Sequence, residues 1–405
     1  MGEDATRATG TVVGGATAPA VVYGRPLQAL WPLDPTIGHL NHGAFGAAPH
    51  AVLEEQARWR GIMEENPARF FMRVLPDELR RCAAEVAPFL GTRPERLAFV
   101  ENATVGTGAV LHALAFEPGD EILTTDHVYN ALRNTLRHVT ERAGARLIEA
   151  PLPLPVTDEG AVVEAIERGL TPRTRLVVID HVASASALTF PVRAIVALCR
   201  ARGLPVLVDG AHAPGLLDLD VDGIGADWYV GNCHKWLCAP KGAAFIALAD
   251  RPTPPIHPLA ISHAYGQGFP AEFDKVGTRD PSAWLAVPAA IAFHARLGGA
   301  DLRARNRSVA RAVAARLAAE TGLDRAGADD LCHAMVLLSL PEDVPATREE
   351  AARIQGLLYD RHRVEVAITA LRGRLHLRLS VQAYNDESDF SGLGAALLAT
   401  LEEPA

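Results

Sequence analysis

Cysteine is scarce in this chain of 405 residues, and positive charge never clusters. The five cysteines stand at 82, 199, 233, 238 and 332. They are odd in number, and Cys233 and Cys238 are too far apart for C-x-x-C. No second cluster completes a zinc site, so reduced and mostly buried thiols are expected, with no metal. The 39 Lys and Arg are scattered against 48 Asp and Glu, for a net charge of −9. Without a basic block, nucleic acid is not an expected partner. No apolar run reaches transmembrane length, so no membrane partner is expected. The opening "MGEDATRATG" lacks the layout of a signal peptide, and a cytoplasmic protein is expected. No G-x-G-x-x-G follows the first apolar strands, which removes an NAD-binding Rossmann protein.

What is present is enough apolar residue for a large core, 49% of the chain, and too much length for one typical domain. Residues 1–30 carry no period and read as a loose arm. Short β-rich runs follow at "LAFV" (97–100), "EILTT" (121–125), "RLVVID" (175–180) and "LPVLVDG" (204–210). Segments of helical spacing lie among them, such as Ala161–Gly169 and Val192–Arg202. Strand and helix in alternation predict an α/β fold, with a doubly wound, mainly parallel sheet. A long helix is expected from about Ser282 to Leu317. "HAMVLLSL" (333–340) and "RLHLRLSV" (374–381) predict a smaller α+β unit. The expected division is an arm 1–37, a large domain 38–280 and a small domain 281–405.

Ligands of such sheets bind beyond the carboxyl ends of the strands. Four stretches sit there. In "VENATVGTGAVLHAL" (100–114), a helix start with Ala103 and Thr104 either holds a phosphate or is a plain cap. In "TTDHVYNA" (124–131), His127 or Tyr129 either stacks on a flat cofactor or walls the site. In "LPVLVDGAH" (204–212), Asp209 ends a buried strand and calls for a partner. That partner is a metal, a protonated ring nitrogen or a helix N-terminus, and His212 follows closely. In "GNCHKWLCAPKG" (231–242), Lys235 sits among apolar neighbours. Burial favours its neutral form, a nucleophile that forms a Schiff base with an aldehyde. Lys241, in "APKG", is expected on an exposed turn without a role. One molecule uses all these stations: pyridoxal 5′-phosphate, with an aldehyde, a phosphate and a basic ring nitrogen.

The chain resembles the class V, fold-type I pyridoxal-phosphate enzymes, and within them the isopenicillin N epimerase-like branch. "HLNHGAFG" (39–46), "NATVGTGA" (102–109), "DHVYNA" (126–131), "VDGAHAPG" (208–215), "GNCHKWLCAPKG", "VGTRDPSAWLAVPAAIAF" (276–293) and "RLSVQAYN" (378–385) carry the resemblance in the family's order. It implies that Lys235 binds the cofactor and then moves the Cα proton of an amino-acid substrate. It places His212 near the phenolic oxygen and Asn232 and His234 near the phosphate. Tyr129, or His127 in its place, stacks on the ring. Thr278 reaches a phosphate in a partner subunit, so a homodimer is expected. Arg378 grips the substrate carboxylate, and Asn41 and His42 line the substrate mouth.

Two departures bear on the substrate. "DHVASASALTFPV" (180–192) replaces a Ser-Pro-Thr pattern, and His42 stands where the family has a small hydroxylated residue. No cysteine lies in 357–380, which disfavours persulfide formation there. The altered mouth favours β-elimination from a cysteine S-conjugate in natural-product assembly, a carbon–sulfur lyase. Epimerisation is the alternative. Decarboxylating deamination comes third, and a cofactor-free scaffold protein is the reading from another class.

Overall fold

The computed structural model describes residues 21–403. Most of the expected arm lies outside the described residues. Its last part does not hang free: Gly24 N–H donates to Ala383 O at 2.8 Å and Tyr23 OH to Leu297 O at 2.8 Å.

Seven strands form the central sheet: β1 (Leu97–Val100), β2 (Glu121–Thr125), β3 (Arg146–Ala150), β4 (Thr174–Asp180), β5 (Val206–Asp209), β6 (Trp228–Asn232) and β7 (Ala244–Leu248). Their order is β1-β7-β6-β5-β4-β2-β3. Only β7 runs against its neighbours. Alternate residues of these apolar strands enter two cores. Phe99, Leu123, Val177, Ile179, Val206 and Val208 join one, and Val100, Ile122, Leu176, Val178, Leu207 and Val230 the other. Helices cover both faces, which is why the strands read as continuous apolar runs. Each buried Val or Leu contributes on the order of 2 kcal/mol.

The strand expectations match, within two residues at the ends. The long helix does not. Three helices replace it: Ser282–Leu285, Val287–Arg296 and Ala300–Thr321. Gly298 and Gly299 take φ of +98° and +52° at the break before the third, a backbone that other residues seldom adopt. A second, antiparallel sheet holds β8 (Met335–Ser339), β9 (Ala367–Leu371) and β10 (Arg374–Ser380) in the order β9-β10-β8. All five cysteines are free and buried. Among the described residues, no helix is long and apolar enough to cross a membrane.

The segment Asn41–Gly46 lies against the backbone of residues 234 and 235. Gly46 permits this contact. Its φ is +68°, and a Cβ there would collide with the His234 carbonyl oxygen and stand 2.9 Å from Lys235 Cα. Gly46→Ala is expected to cost about 3 kcal/mol. A urea midpoint unchanged from wild type would contradict this packing.

Candidate functional site

The carboxyl ends of β4, β5 and β6 meet the start of the helix Ala103–Ala113 around a cavity of about 700 Å³. Ala103, Thr104, Tyr129, Asp209, His212, Asn232, His234 and Lys235 all line it. Eight residues spread over 133 positions of sequence thus share one volume, because each follows a strand of the same sheet.

Lys235 lies past the end of β6, in the turn that leads to β7. Its Nζ is 3.0 Å from His212 Nε2. Burial, with Arg378 adding to it, pulls the amine down to about 8. His212, 1% exposed, is held well below its usual range by burial and then by Lys235. Its Nδ1 accepts from Trp236 Nε1–H at 3.2 Å. Asp209 Oδ1 accepts from Ala211 N–H at 2.9 Å, and burial raises its carboxyl above the usual range.

At the helix start, Asn102 caps by accepting from Val105 N–H at 2.9 Å. Ala103 N–H donates to Asn232 Oδ1 at 2.8 Å, which ties the helix to the end of β6. Thr104 lines the cavity with its N–H and hydroxyl available. His234 Nδ1–H donates to Ala243 O at 3.0 Å, and burial depresses the ring to about 4. Its Nε2 therefore meets an anion only by taking up a proton, which an anion there would promote.

Arg378, on β10, is 5% exposed. Its Nη1 donates to Ser184 O at 2.7 Å and Ser184 Oγ at 3.0 Å, and Nη2 reaches Asn41 Oδ1 at 3.5 Å. Ser184 lines the cavity. Arg378 has no carboxylate within salt-bridge distance among the described residues, and its buried Nε has no partner. Burial lowers the guanidinium to about 10. Asn41 bridges onward, donating to Glu365 Oε1 at 3.1 Å.

Asn41, His42, His127 and Arg378 are not among the residues that line the cavity. His42 does not line the mouth. It is 4% exposed, with Nε2 3.1 Å from both Lys235 O and Gln382 Nε2 and Nδ1 2.9 Å from Tyr384 OH. The ring supports the lysine turn from behind, and burial holds it near 3, hence neutral. His127 does not reach the cavity either. Its fully buried ring hydrogen-bonds Ser186 Oγ at 3.0 Å and leans on Phe190. Tyr129, two residues on, faces the cavity with 43% of its surface exposed. Thr278 is exposed and outside the cavity.

The structure adds residues that the sequence did not single out. Asp180 ends β4 in register with Asp209. It is 2% exposed, lines the cavity, and its Oδ2 is buried without a partner. Burial and then the Asp209 charge raise it well above the usual range. Its signal was available, since "RLVVID" ends as "LPVLVD" does. Lys241 is on an exposed turn as expected, yet it lines the cavity and donates to Gly46 O at 2.9 Å. Lys235, Lys241 and Lys275 are the three lysines of the chain. Among the described residues, no three His, Cys, Asp or Glu side chains are grouped to hold a metal ion.

These residues fit pyridoxal 5′-phosphate. The cavity offers an amine that is partly neutral near pH 7, a carboxyl on the floor, an N–H and hydroxyl at a helix start, and an exposed aromatic face. The buried Oδ2 of Asp180, without a protein partner, adds a hydrogen-bonding oxygen that suits a polar ligand.

Comparison with known proteins agrees. The aminotransferase class-V model matches residues 64–390. The isopenicillin N epimerase of Streptomyces clavuligerus is 35% identical over 389 residues, covering 92% of this chain and 96% of the relative. The putative L-cysteine desulfhydrase 1 of Oryza sativa subsp. japonica is 32% identical, covering 89% and 82%. A solved structure of C-DES with glycine covalently linked to its PLP cofactor superposes with a TM-score of 0.77 at 22% identity, covering 91% of this chain and 98% of that one. The fold is the fold-type I α/β architecture. The chain belongs to the aminotransferase class-V family of pyridoxal 5′-phosphate enzymes.

Proposed function

We propose that the protein is a carbon–sulfur lyase that acts on a cysteine S-conjugate by β-elimination. The observation that carries an amino-acid substrate is Arg378, a buried guanidinium with no carboxylate partner, beside the cavity that holds Lys235. A buried cation is stable only with a counter-charge, and a substrate carboxylate supplies one with matching planar geometry.

Pyridoxal 5′-phosphate supplies, when bound, an aldehyde for the lysine and an electron sink for Cα. Lys235 would hold it through its amine and would take the proton from Cα of the substrate. Asp209 would keep a proton on the ring nitrogen. Thr104, the neighbouring helix start and His234 would hold the phosphate, with Asn232 fixing the helix in place. Tyr129 would pack on the ring, and His212 would direct a proton toward the oxygen beside the aldehyde. Arg378, set by Ser184 and Asn41, aligns the substrate. In this reading residues 38–280 carry the cofactor, and 281–403 with 21–37, the described part of the arm, form the facing unit that supplies Arg378. Thr278, exposed and outside its own cavity, serves the site of a second copy in a homodimer. Exposed Phe45, Leu259, Ile261 and Tyr265 suit such an interface.

Elimination needs one base and a leaving group, and Lys235 suffices as the base. Relatives named as cysteine desulfhydrases and a hercynylcysteine sulfoxide lyase support this outcome. Isopenicillin N-type epimerisation is the second reading, supported by two epimerases at 35% identity. Turnover of cysteine S-conjugates and other L-amino acids in heavy water separates the outcomes. Pyruvate with a free thiol is expected. Deuterium at an inverted Cα would establish the epimerase instead, and carbon dioxide a decarboxylase.

Lys235→Ala is expected to abolish every outcome, and Asp209→Ala to lower the rate at least ~100-fold. Wild-type turnover in either variant removes that residue from the mechanism. Arg378→Ala is expected to raise KM by about 100-fold, since it removes the counter-charge of the carboxylate. A KM close to that of wild type would assign the carboxylate to another group. Because the Lys235 amine loses its proton near 8, trapping of a small aldehyde by borohydride at Lys235 should rise with pH through about 8. A midpoint at the ordinary lysine value would contradict the enclosed amine.

A further inference from the structure

His212 stands between two nitrogens, and their chemistry restricts it. Trp236 Nε1–H is a donor and never an acceptor, so the His212 Nδ1 it meets at 3.2 Å carries no proton. A neutral imidazole has one N–H, which is then on Nε2. That nitrogen is 3.0 Å from Lys235 Nζ. An N–H can approach the amine this closely only if the amine accepts, and only a neutral amine has a lone pair to accept with. The indole bond and the ammonium form of Lys235 therefore exclude each other. Protonating Lys235 turns it into a donor, forces His212 onto the other tautomer and leaves a buried indole N–H unpaired.

We propose that Trp236 is a positioning residue: its indole N–H fixes the tautomer of His212, and through it favours the neutral, nucleophilic form of Lys235. The arrangement is rigid. Trp236 is 2% exposed, its ring centroid lies 5.3 Å from that of His42, and a Cβ on Gly43 would stand 3.1 Å from it. His42 in turn holds the Lys235 carbonyl from the other side. Other charges act on the same amine. Arg378 opposes its protonation, while Asp209 and Asp180 favour it. His212 is faced also by Arg378 and His234, both of which keep it neutral. Trp236 adds no charge and acts through hydrogen-bond direction alone. When a ligand displaces the amine, the same Nε2–H remains a donor into the cavity.

The inference rests on the proposed function for its purpose, but its test does not need the cofactor. In the full-length cofactor-free protein, nitrogen NMR of labelled histidine, with His212→Asn for assignment, reads the tautomer directly. His212 should carry its proton on Nε2 above the Lys235 midpoint and switch to Nδ1 below it, with loss of the shifted Trp236 indole signal. Replacement of Trp236 by its benzothiophene analogue keeps the shape and removes the N–H. It should raise the Lys235 midpoint, read by aldehyde trapping with borohydride, by about one unit. Trp236→Phe should do the same. A folded analogue protein with an unmoved midpoint overturns the proposal, and so does a wild-type His212 protonated on Nδ1 at every pH. The wild-type spectrum decides the matter if neither variant folds. Failure of wild-type protein to form a yellow complex with pyridoxal 5′-phosphate, while the midpoint still follows Trp236, would sink the proposed function and leave this inference standing.

Discussion

Lys235 lines the cavity and Arg378 is buried beside it on Ser184, and neither has a carboxylate in hydrogen-bond contact. Removal from water raises the cost of charging both groups, and Arg378 raises that of Lys235 further. The guanidinium remains charged because its basicity is so high. The amine gives way. Its loss of charge is what makes a nucleophile of a residue that is inert at a surface. Much else in the site follows from this. His42 braces the lysine backbone, Gly46 lets a neighbouring segment reach it, and Trp236 holds His212 by its indole N–H.

The floor carries the opposite problem. Asp180 and Asp209 end neighbouring parallel strands in register and are both nearly inaccessible to water. Like charges so close do not both ionise, and one of the pair keeps its proton. The cavity thus combines carboxyls that retain protons with an amine that gives one up.

The sheet was legible because its strands are apolar without alternation and end in polar residues. Lys235, Asp209, His212 and Thr104 could be named because each follows such a strand. What failed was direction. His127 and Tyr129 are two residues apart in one turn, and nothing in "DHVYNA" says which of them faces inward. His42 belongs to a motif whose place is legible, but only the packed structure turns its ring toward Tyr384 and away from the mouth. Asp180 reads as an ordinary strand end until sheet register sets it beside Asp209. The break after Arg296 was written in the paired glycines 298 and 299, and helical spacing on both sides masked it.

The chain draws its positive charge almost wholly from arginine, and three lysine amines in 405 residues is few. Guanidinium groups do not condense with simple aldehydes under mild conditions, so a free carbonyl compound meets little competition on this surface. Two of the three amines sit at one cavity, and one of those is occupied with the Gly46 carbonyl. Selective loading thus comes partly from composition: the molecule offers a reactive carbonyl few other places to go.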